Sequence, residues 1–410
     1  MSLCRYFPTP SDRMGILWSL LCIEDSVVLE YGPAGTTHYS ISLFGGLGVD
    51  QQNRLFTTHM SEDDVVMGDV SRLERALVEV DQNYAPRVIF VVASSVSAVI
   101  GTDLRGVCAY MQEKVRARLI AFEQGGFRGD YSAGLCETYR LIAEQAVAPA
   151  QKRAENTYNL LGLSAGAYRA RSDRNEIVRL MRAAFGMEMH ACLCLDTDMR
   201  AVETCGAARL NLVLRGEALP AARILAETCH TPYVAGAPYG YAGTLAWLER
   251  VADALGQPIA PELVRELKEK SLQASQLRMY ARMRKQHRPT ATLYGEYEMV
   301  RGLAAFLEEV GLRVENRLSA HSLRALEAPD PAVRHLPVEK ERIELLRGLR
   351  HQLVLADEVS HALLAPDNFF VRASMPLVHG AQTATHLPLA GPRGADALLE
   401  SVEEYLETLA

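Results

Sequence analysis

The chain has 410 residues, of which 49% are hydrophobic and 23% charged, and its formal net charge is −7. At roughly 150 residues per domain, this length predicts two or three domains, each able to bury a core of its own. The acidic balance excludes a general nucleic-acid binder, because contact with phosphate backbones needs a basic surface. The longest apolar run, residues 88–101, is too short to span a bilayer, so we expect no membrane partner either.

The eight cysteines do not form a metal-binding pattern, since no C-x2-C pair and no paired Cys/His spacing is present. Arg5, Asp12 and Arg13 interrupt the first apolar stretch before a signal peptide can form. We therefore expect a cytoplasmic protein without a disulfide framework. Cys192 and Cys194 lie on one face of a predicted strand, where buried thiols are favoured over metal ligands.

Short β-branched runs alternate with amphipathic stretches through the first part of the chain, which is the pattern of parallel strands connected by helices. We predict strands at residues 27–31, 87–93 and 118–122 and helices at residues 71–83 and 135–148. The polar stretch 151–156 that follows is typical of a domain boundary.

The same alternation occurs twice more. The second round predicts strands at 157–163, 188–195, 209–214 and 233–235, and helices at 175–185, 218–228 and 261–284. The third round predicts strands at 291–295, 312–316 and 352–356, and helices at 299–310 and 395–409. Three rounds predict an α/β fold of three doubly wound, Rossmann-like domains with mostly parallel sheets, over residues 1–150, 151–285 and 286–410. Ligands of such folds bind at the carboxyl ends of the strands.

Polar turns follow two of the predicted strands in the first domain. Residues 30–38 (EYGPAGTTH) carry two glycines that allow a tight turn, and they place Thr36, Thr37 and His38 at the mouth of the sheet. On residue chemistry alone, a strand-to-helix turn with a threonine cap is the favoured interpretation. The serine-rich turn 94–103 could hold an anion or a cofactor, but it has neither a Walker lysine nor a G-x-G-x-x-G.

Other polar residues near strand ends are candidates with equally plausible structural roles. Ser61 and Asp64 match a capping box, so a helix start is favoured there. No G-x-S-x-G and no H-E-x-x-H is present. The remaining candidates are His59, Arg128, His379, Gln382, Thr383, His386 and Arg393.

Five segments occur in an order that resembles the nitrogenase component 1 family. Residues 31–36 are similar to the family's H-G-P-x-G-C, and residues 57–69 to its T-T-x-M-x-E-x-D-V-V-F-G-G. Residues 93–103 are similar to its S-T-C and I-G-D-D, residues 126–129 to its G-F-x-G, and residues 391–409 to its last glycine turn and helix. The family includes nitrogenase subunits, cofactor-assembly scaffolds, protochlorophyllide reductase, a nickel-sirohydrochlorin cyclase and methylthio-alkane reductase.

The resemblance implies paired α and β subunits with an iron–sulfur cluster at their junction, held by up to three cysteines from each subunit. The corresponding positions here are Ser11, Thr36 and Val96, and the position of the catalytic cofactor's cysteine, near residues 214–215, also lacks Cys. A hydroxyl is a poor cluster ligand and a valine is none. The residues at and around these matching positions are the cofactor-binding candidates: Ser11, Gly32, Gly35, Thr36, Thr37, His38, Ser95 and Val96. The candidate metal ligands are His38, Cys22 and Cys4.

The resemblance thus implies a β-type subunit of a nitrogenase-like reductase in an α2β2 heterotetramer. A cysteine-bearing homologue would hold most of the cluster, and an ATP-dependent iron protein would supply electrons. Methylthio-alkane reduction is the preferred activity and tetrapyrrole reduction the next. The alternatives are a scaffold or cofactor-assembly protein that lost cluster ligation, and a homo-oligomer that binds a small anion.

Overall fold

The computed structural model describes residues 3–6, 8–38, 54–283, 288–377 and 384–409. Its strands form three parallel sheets and one short parallel pair. The strands are β1 (Ile23–Glu24), β2 (Ser26–Tyr31), β3 (Leu55–Thr57), β4 (Val88–Ala93), β5 (Arg118–Phe122), β6 (Ala154–Leu161), β7 (Glu188–Cys192), β8 (Thr197–Asp198), β9 (Ala208–Val213), β10 (Tyr233–Ala235), β11 (Thr290–Gly295), β12 (Arg313–Ser319), β13 (Arg334–His335), β14 (Gln352–Ala356) and β15 (Phe369–Arg372).

Helices connect these strands and cover the sheets. They span Asp12–Leu20, Glu62–Met67, Ser71–Tyr84, Ser95–Val99, Leu104–Met111, Tyr131–Gln145, Ala170–Phe185, Met199–Thr204, Leu219–Thr228, Tyr241–Leu255, Pro261–Ser275, Leu277–Met283, Tyr297–Glu309, Glu339–Gly348, Glu358–His361 and Gly391–Thr408. Short 3₁₀ turns span Gln112–Lys114, Cys205–Ala207, Gly216–Ala218 and Leu323–Ala325. None of the helices described combines the length and hydropathy that crossing a bilayer requires.

The first sheet has the order β3-β2-β4-β5, the second β10-β9-β6-β7 and the third β13-β12-β11-β14-β15. All their pairings are parallel, which confirms the predicted α/β class with mostly parallel sheets. β2 and β4 are buried along their whole length, as a sheet covered by helices on both faces requires. The domain boundaries at 150/151 and 285/286 stay a prediction.

One face of the first sheet shares an apolar core with the second sheet, and its other face packs against a separate core of its own. Helix Asp12–Leu20 packs against helix Tyr131–Gln145, and their buried side chains join residues of β4, β6 and β9 in a single cluster. The short pair β1–β8 also connects the two parts. This shared core fixes the start of helix Asp12–Leu20 at the carboxyl edge of the first sheet.

Two local expectations had different outcomes. The capping box is present, because the Ser61 hydroxyl accepts the Asp64 backbone N–H and the Asp64 carboxylate accepts the Ser61 N–H. The single helix predicted over 261–284 is wrong, since the chain turns at Gln276 between two helices. The Gln276 and Met279 N–H groups bond to carbonyls three residues earlier, which is a tight turn that needs neither Gly nor Pro.

Candidate functional site

The turn after β2 and the turn after β4 meet at the carboxyl edge of the first sheet. A Cβ atom on Gly32 would lie 2.3 Å from Cβ of Ser94 and 3.5 Å from Oγ1 of Thr36. Only a glycine therefore allows the two turns to approach this closely. Gly35, by contrast, faces open space.

Ser11 and Ser95 lie around the turn that follows β5. Gly126 has a φ of +101°, and a Cβ atom there would lie 3.4 Å from Oγ of Ser95 and 3.5 Å from Oγ of Ser11. The Ser95 hydroxyl donates to the Gly125 carbonyl at 2.7 Å. Ser11, Gly32, Thr36 and Ser95 are thus brought to one edge, as the sequence predicts for residues at neighbouring strand ends.

A buried ion pair lies at this edge. Arg13 Nε donates to Oε1 of Glu30 at 2.9 Å and Arg13 NH2 donates to Oε2 at 2.6 Å. The Glu30 side chain is fully buried and that of Arg13 is 8% exposed. The hydroxyl of Thr37 donates to Glu30 Oε2 at 2.7 Å, and that of Thr36 lies 2.8 Å from the Pro33 carbonyl and 3.3 Å from Glu30 Oε1. Both threonine hydroxyls are therefore already engaged within the chain.

Sequence reasoning missed this ion pair, although Glu30 gave a signal. A carboxylate at the end of the apolar run Ser26–Tyr31 is costly to bury unless it is paired and hydrogen-bonded. Such a residue predicts a buried cation nearby. Its partner Arg13 lies in the first turn of a different element, and nothing in the sequence connects the two.

The residues of this edge do not fit an iron–sulfur cluster held by the chain alone. Clusters of this kind are bound by thiolates, and the three family positions are Ser11, Thr36 and Val96. Val96 has no donor atom, and the space beside Thr36 is filled by the Arg13–Glu30 pair. Among the described residues, the side chains at this edge therefore supply a structural ion pair and no cluster cradle.

The three candidate metal ligands are not brought together. Cys4 donates its thiol to Glu339 Oε1 at 3.1 Å, in the helix between β13 and β14. Cys22 is buried, and burial raises the pKa of its thiol to about 11, which disfavours the ligating thiolate. His38 is exposed at the end of the helical residues 34–38. Within the described ranges, no three His, Cys, Asp or Glu side chains are placed to hold a metal ion.

The minor candidates have exposed side chains or lie outside the described residues. His59 and His386 are exposed, and the Arg128 side chain is exposed while its backbone N–H donates to Asp12. The Arg393 side chain is paired only loosely, since its Nε lies 3.8 Å from Glu176 Oε2. His379, Gln382 and Thr383 lie outside the described residues. The buried-thiol interpretation of Cys192 and Cys194 is confirmed.

A second polar cluster, centred on Arg215, lies between the second and third sheets, at the position that the family resemblance assigns to the cofactor's cysteine. Arg215 follows β9 and is 5% exposed, and its NH1 lies 2.7 Å from Oε2 of Glu296, which follows β11. Its Nε lies 3.7 Å from Oε2 of Glu217. Neither contact is aligned as a hydrogen bond, so the guanidinium is held by charge alone.

Glu298 and His321 complete the Arg215 cluster. Glu298 Oε1 accepts the Gly216 N–H at 2.6 Å, which joins the third sheet's first helix to the turn after β9. His321 Nε2 accepts the Tyr297 N–H, so its proton lies on Nδ1, which donates to the Ser322 carbonyl. The carboxylates of Glu217, Glu296 and Glu298 all lie near the one guanidinium of Arg215. Carboxylates therefore outnumber cations among these buried groups.

Burial makes the ionised carboxylates at this junction costly. Burial, and then the nearby charge of Glu217, raise the pKa of Glu298. Burial likewise raises the pKa of Asp173 to about 7, although its Oδ1 accepts the N–H groups of Leu389 and Ala390. A raised carboxyl pKa means that the folded state holds the proton more tightly. This contribution to stability is complete below about pH 4 and is lost as the pH rises through about 7.

Three parallel sheets with polar groups collected at their strand ends define a doubly wound α/β protein. A sequence profile for the nitrogenase component 1 type oxidoreductases matches residues 11–407. The chain therefore belongs to the nitrogenase component 1 family, as its five motifs indicate.

Relatives of known function lie within the nitrogenase system. The nitrogenase iron-molybdenum cofactor biosynthesis protein NifE of Nostoc sp. is 28% identical over 247 residues, which cover 60% of this chain and 51% of that protein. NifE of Clostridium pasteurianum is 27% identical over 240 residues, covering 57% and 51%. The chain thus spans about half the length of these curated relatives. The solved structure "Nitrogenase Cp1 at pH 6.5" superposes with a TM-score of 0.80 at 17% identity over 99% of this chain and 94% of that one, which shows the fold alone.

Proposed function

We propose that this chain is the β-type subunit of a nitrogenase-like reductase whose homologous α-type subunit carries the cluster cysteines. The observation that supports this most strongly is the edge of the first sheet, where the Arg13–Glu30 pair lies beside Thr36 and Thr37. A family member that keeps the fold but has no thiolates there depends on a partner for them. The iron–sulfur cluster is then held mainly by that partner, in an α2β2 heterotetramer.

Exposed apolar side chains at the same edge support a partner surface there. Val66 and Met67 follow β3, Val99 follows β4 and Phe127 follows β5, and all four are more than 60% exposed. Because these strands are neighbours in one sheet, their carboxyl ends face the same side of the molecule. Apolar groups gathered on one side are typical of an interaction surface. Ser11, Gly32, Gly35, Ser95 and Val96 are this chain's contribution near the cluster, and the exposed His38 is its candidate nitrogen ligand.

A second candidate function is supported by the similarity to NifE, a cofactor biosynthesis protein. In that case the chain is a non-catalytic scaffold whose complex holds a cluster without turning over a substrate. The two functions differ in whether an ATP-dependent iron protein drives electrons into the complex. Methylthio-alkane reduction is the activity we prefer for the reductase.

Coexpression with a cysteine-bearing homologue under anaerobic conditions tests both functions. We expect an iron-containing complex that releases methanethiol from a methylthio-alkane when an ATP-dependent iron protein, reductant and MgATP are added, and not when MgADP replaces MgATP. Each cleaved C–S bond takes up two electrons and two protons. An iron-containing complex with no ATP-dependent electron transfer would contradict the reductase and support the scaffold. A stable complex without iron would contradict both.

A further inference from the structure

An open cleft of about 390 Å³ lies at the amino-terminal edge of the first sheet, opposite to the edge described above. Residues that precede or begin β4 and β5 form one side of it, and the end of helix Ser71–Tyr84 forms another. The end of helix Met199–Thr204, which belongs to the second part of the chain, also contributes. The charged residues that line this arginine cleft are Asp81, Arg87, Arg116, Arg118 and Glu203.

The parallel pairing of β4 and β5 brings the three arginines together. Arg118 is paired with Val88, and its backbone N–H donates to the Arg87 carbonyl at 3.0 Å. Arg87 and Arg118 therefore lie side by side where two neighbouring strands begin, and Arg116 lies two residues before Arg118. Because both strands run in the same direction, their amino ends share one edge of the sheet.

Two of the guanidinium groups use only part of their N–H donors within the chain. Arg87 contacts Glu203 through NH2. Arg116 donates from Nε to Oδ2 of Asp81 at 3.3 Å and from NH2 to the Asp81 carbonyl at 3.0 Å. A guanidinium has five N–H donors, so each of these side chains keeps donors that no described residue accepts.

Arg118 is the cation of the cleft that has no carboxylate partner among the described residues. Its NH1 donates to the carbonyls of Gln145 at 2.9 Å and Ala146 at 3.4 Å, where helix Tyr131–Gln145 ends. These bonds hold the side chain in place, but a helix terminus offers only a partial negative charge. Its Nε and NH2 donate to none of the described residues, so Arg118 can bind an anion without giving up an ion pair.

Positive charge exceeds negative charge in the wall of the arginine cleft, because its three guanidinium groups face two carboxylates. The Asp81 carboxylate is already engaged, since its Oδ1 accepts two backbone N–H groups at 3.1 and 2.8 Å. Asp25 and Asp198 also attract Arg87 but do not line the cleft, so the excess charge lies with the other two arginines. The whole chain has a net charge of −7, so this positive surface does not follow from a basic composition.

We propose that the arginine cleft binds a small molecule that carries a phosphate group. Guanidinium groups form paired, charge-assisted hydrogen bonds with phosphate oxygens. Several guanidinium groups at one cleft suit a tetrahedral dianion better than a planar carboxylate, which a single guanidinium can satisfy. The site goes beyond the proposed function, because it lies away from the partner surface and requires neither iron nor a partner chain.

Isothermal titration calorimetry of the full-length chain at pH 8 tests the site, since a phosphate group is then mostly dianionic. Ionic strength is kept constant with sodium chloride, because salt screens exposed charges. Inorganic phosphate and glycerol 3-phosphate are both expected to bind, and acetate is not. Tighter binding of the ester would identify a phosphate ester as the ligand, and equal binding would identify free phosphate. No binding of either phosphate, or equal binding of acetate, would overturn the proposal.

Substitutions of the charged residues locate the binding. Arg116→Met and Arg118→Met are each expected to weaken phosphate binding about tenfold, the effect of losing one hydrogen bond to a charged group. Glu203→Gln removes a carboxylate that competes for Arg87 and is expected to tighten binding. Arg182→Met is the matched control, because this arginine pairs with a glutamate at the surface elsewhere, and it should leave the affinity unchanged.

Circular dichroism spectra show which of these variants fold. If Arg118→Met fails to fold because its helix loses the two carbonyl bonds, Arg116→Met decides, since the Arg116 side chain is 74% exposed. Unchanged phosphate affinity in a folded Arg116→Met or Arg118→Met chain would overturn the site. An equal loss of affinity in Arg182→Met would also overturn it, because the binding would then follow the net charge of the chain.

Discussion

Replacing Arg13 with methionine is expected to lower the free energy of unfolding by about 3–5 kcal/mol, because the fully buried Glu30 carboxylate would lose its only described cationic partner. Methionine keeps the apolar stem of the side chain, so the loss reports the charge rather than packing. The double variant Arg13→Met/Glu30→Leu is expected to recover much of this loss, since it leaves no buried charge. Urea unfolding monitored by circular dichroism measures all of these variants.

The matched control is Arg182→Met, which removes an arginine that pairs with Glu188 at the surface, where both side chains are more than half exposed. Its urea midpoint should barely move, because water screens and solvates an exposed pair. If Arg13→Met were as mild as Arg182→Met, the Glu30 carboxylate would not depend on the ion pair. The Arg13–Glu30 pair would then not be the interaction that stabilises this edge of the first sheet.

Replacing Arg215 with methionine is expected to destabilise the chain strongly at pH 8 and much less at pH 5. The variant leaves Glu217, Glu296 and Glu298 together without their central cation. At low pH, protonation of these carboxylates can neutralise the charge that Arg215 otherwise compensates. Because the pKa of Glu298 is already raised in the folded chain, loss of the arginine raises it further. The free energy of unfolding should therefore fall more steeply between pH 5 and pH 8, by up to about 1.4 kcal/mol per pH unit for each additional bound proton.

Urea unfolding at several pH values measures this slope. Arg215→Met/Glu298→Gln should be flatter with pH than Arg215→Met, because the amide cannot ionise. Arg140→Met is the control, as Arg140 pairs with two glutamates on the surface of its own helix and its removal should not alter the slope. If Arg215→Met lowered the free energy of unfolding equally at pH 5 and pH 8, the charge of Arg215 would not be what stabilises this junction.

The parallel sheets could be predicted because their central strands are continuous apolar runs. Val88–Ala93 and Gln352–Ala356 are buried throughout, so their sequence pattern alone identifies them. The strands β1, β3, β8 and β13 have two or three residues each, which is too short for any periodicity, and the sequence analysis does not predict them. β3 and β13 add to the edges of longer strands, whereas β1 and β8 pair with each other, so all four depend on tertiary contacts.

The sequence predicts which turns meet at the edge of the first sheet, but not which side chains fill the space between them. The meeting of the strand-end turns at Gly32 and Ser95 could be predicted, because parallel strands align their carboxyl ends. What fills that edge depends on Arg13, whose contact with Glu30 is tertiary. The Arg215 cluster is harder still, since Arg215 and Glu298 are 83 positions apart and meet only after two sheets have packed together.

Iron content tests the central claim most directly. The isolated chain, purified without oxygen and reconstituted with iron and sulfide, is compared with its complex with a cysteine-bearing homologue. Our account predicts no stoichiometric iron in the isolated chain and stoichiometric iron and sulfide in the complex. A cluster in the isolated chain, lost on substituting Ser11 or Thr36 with alanine, would contradict it, because those residues would then be ligands.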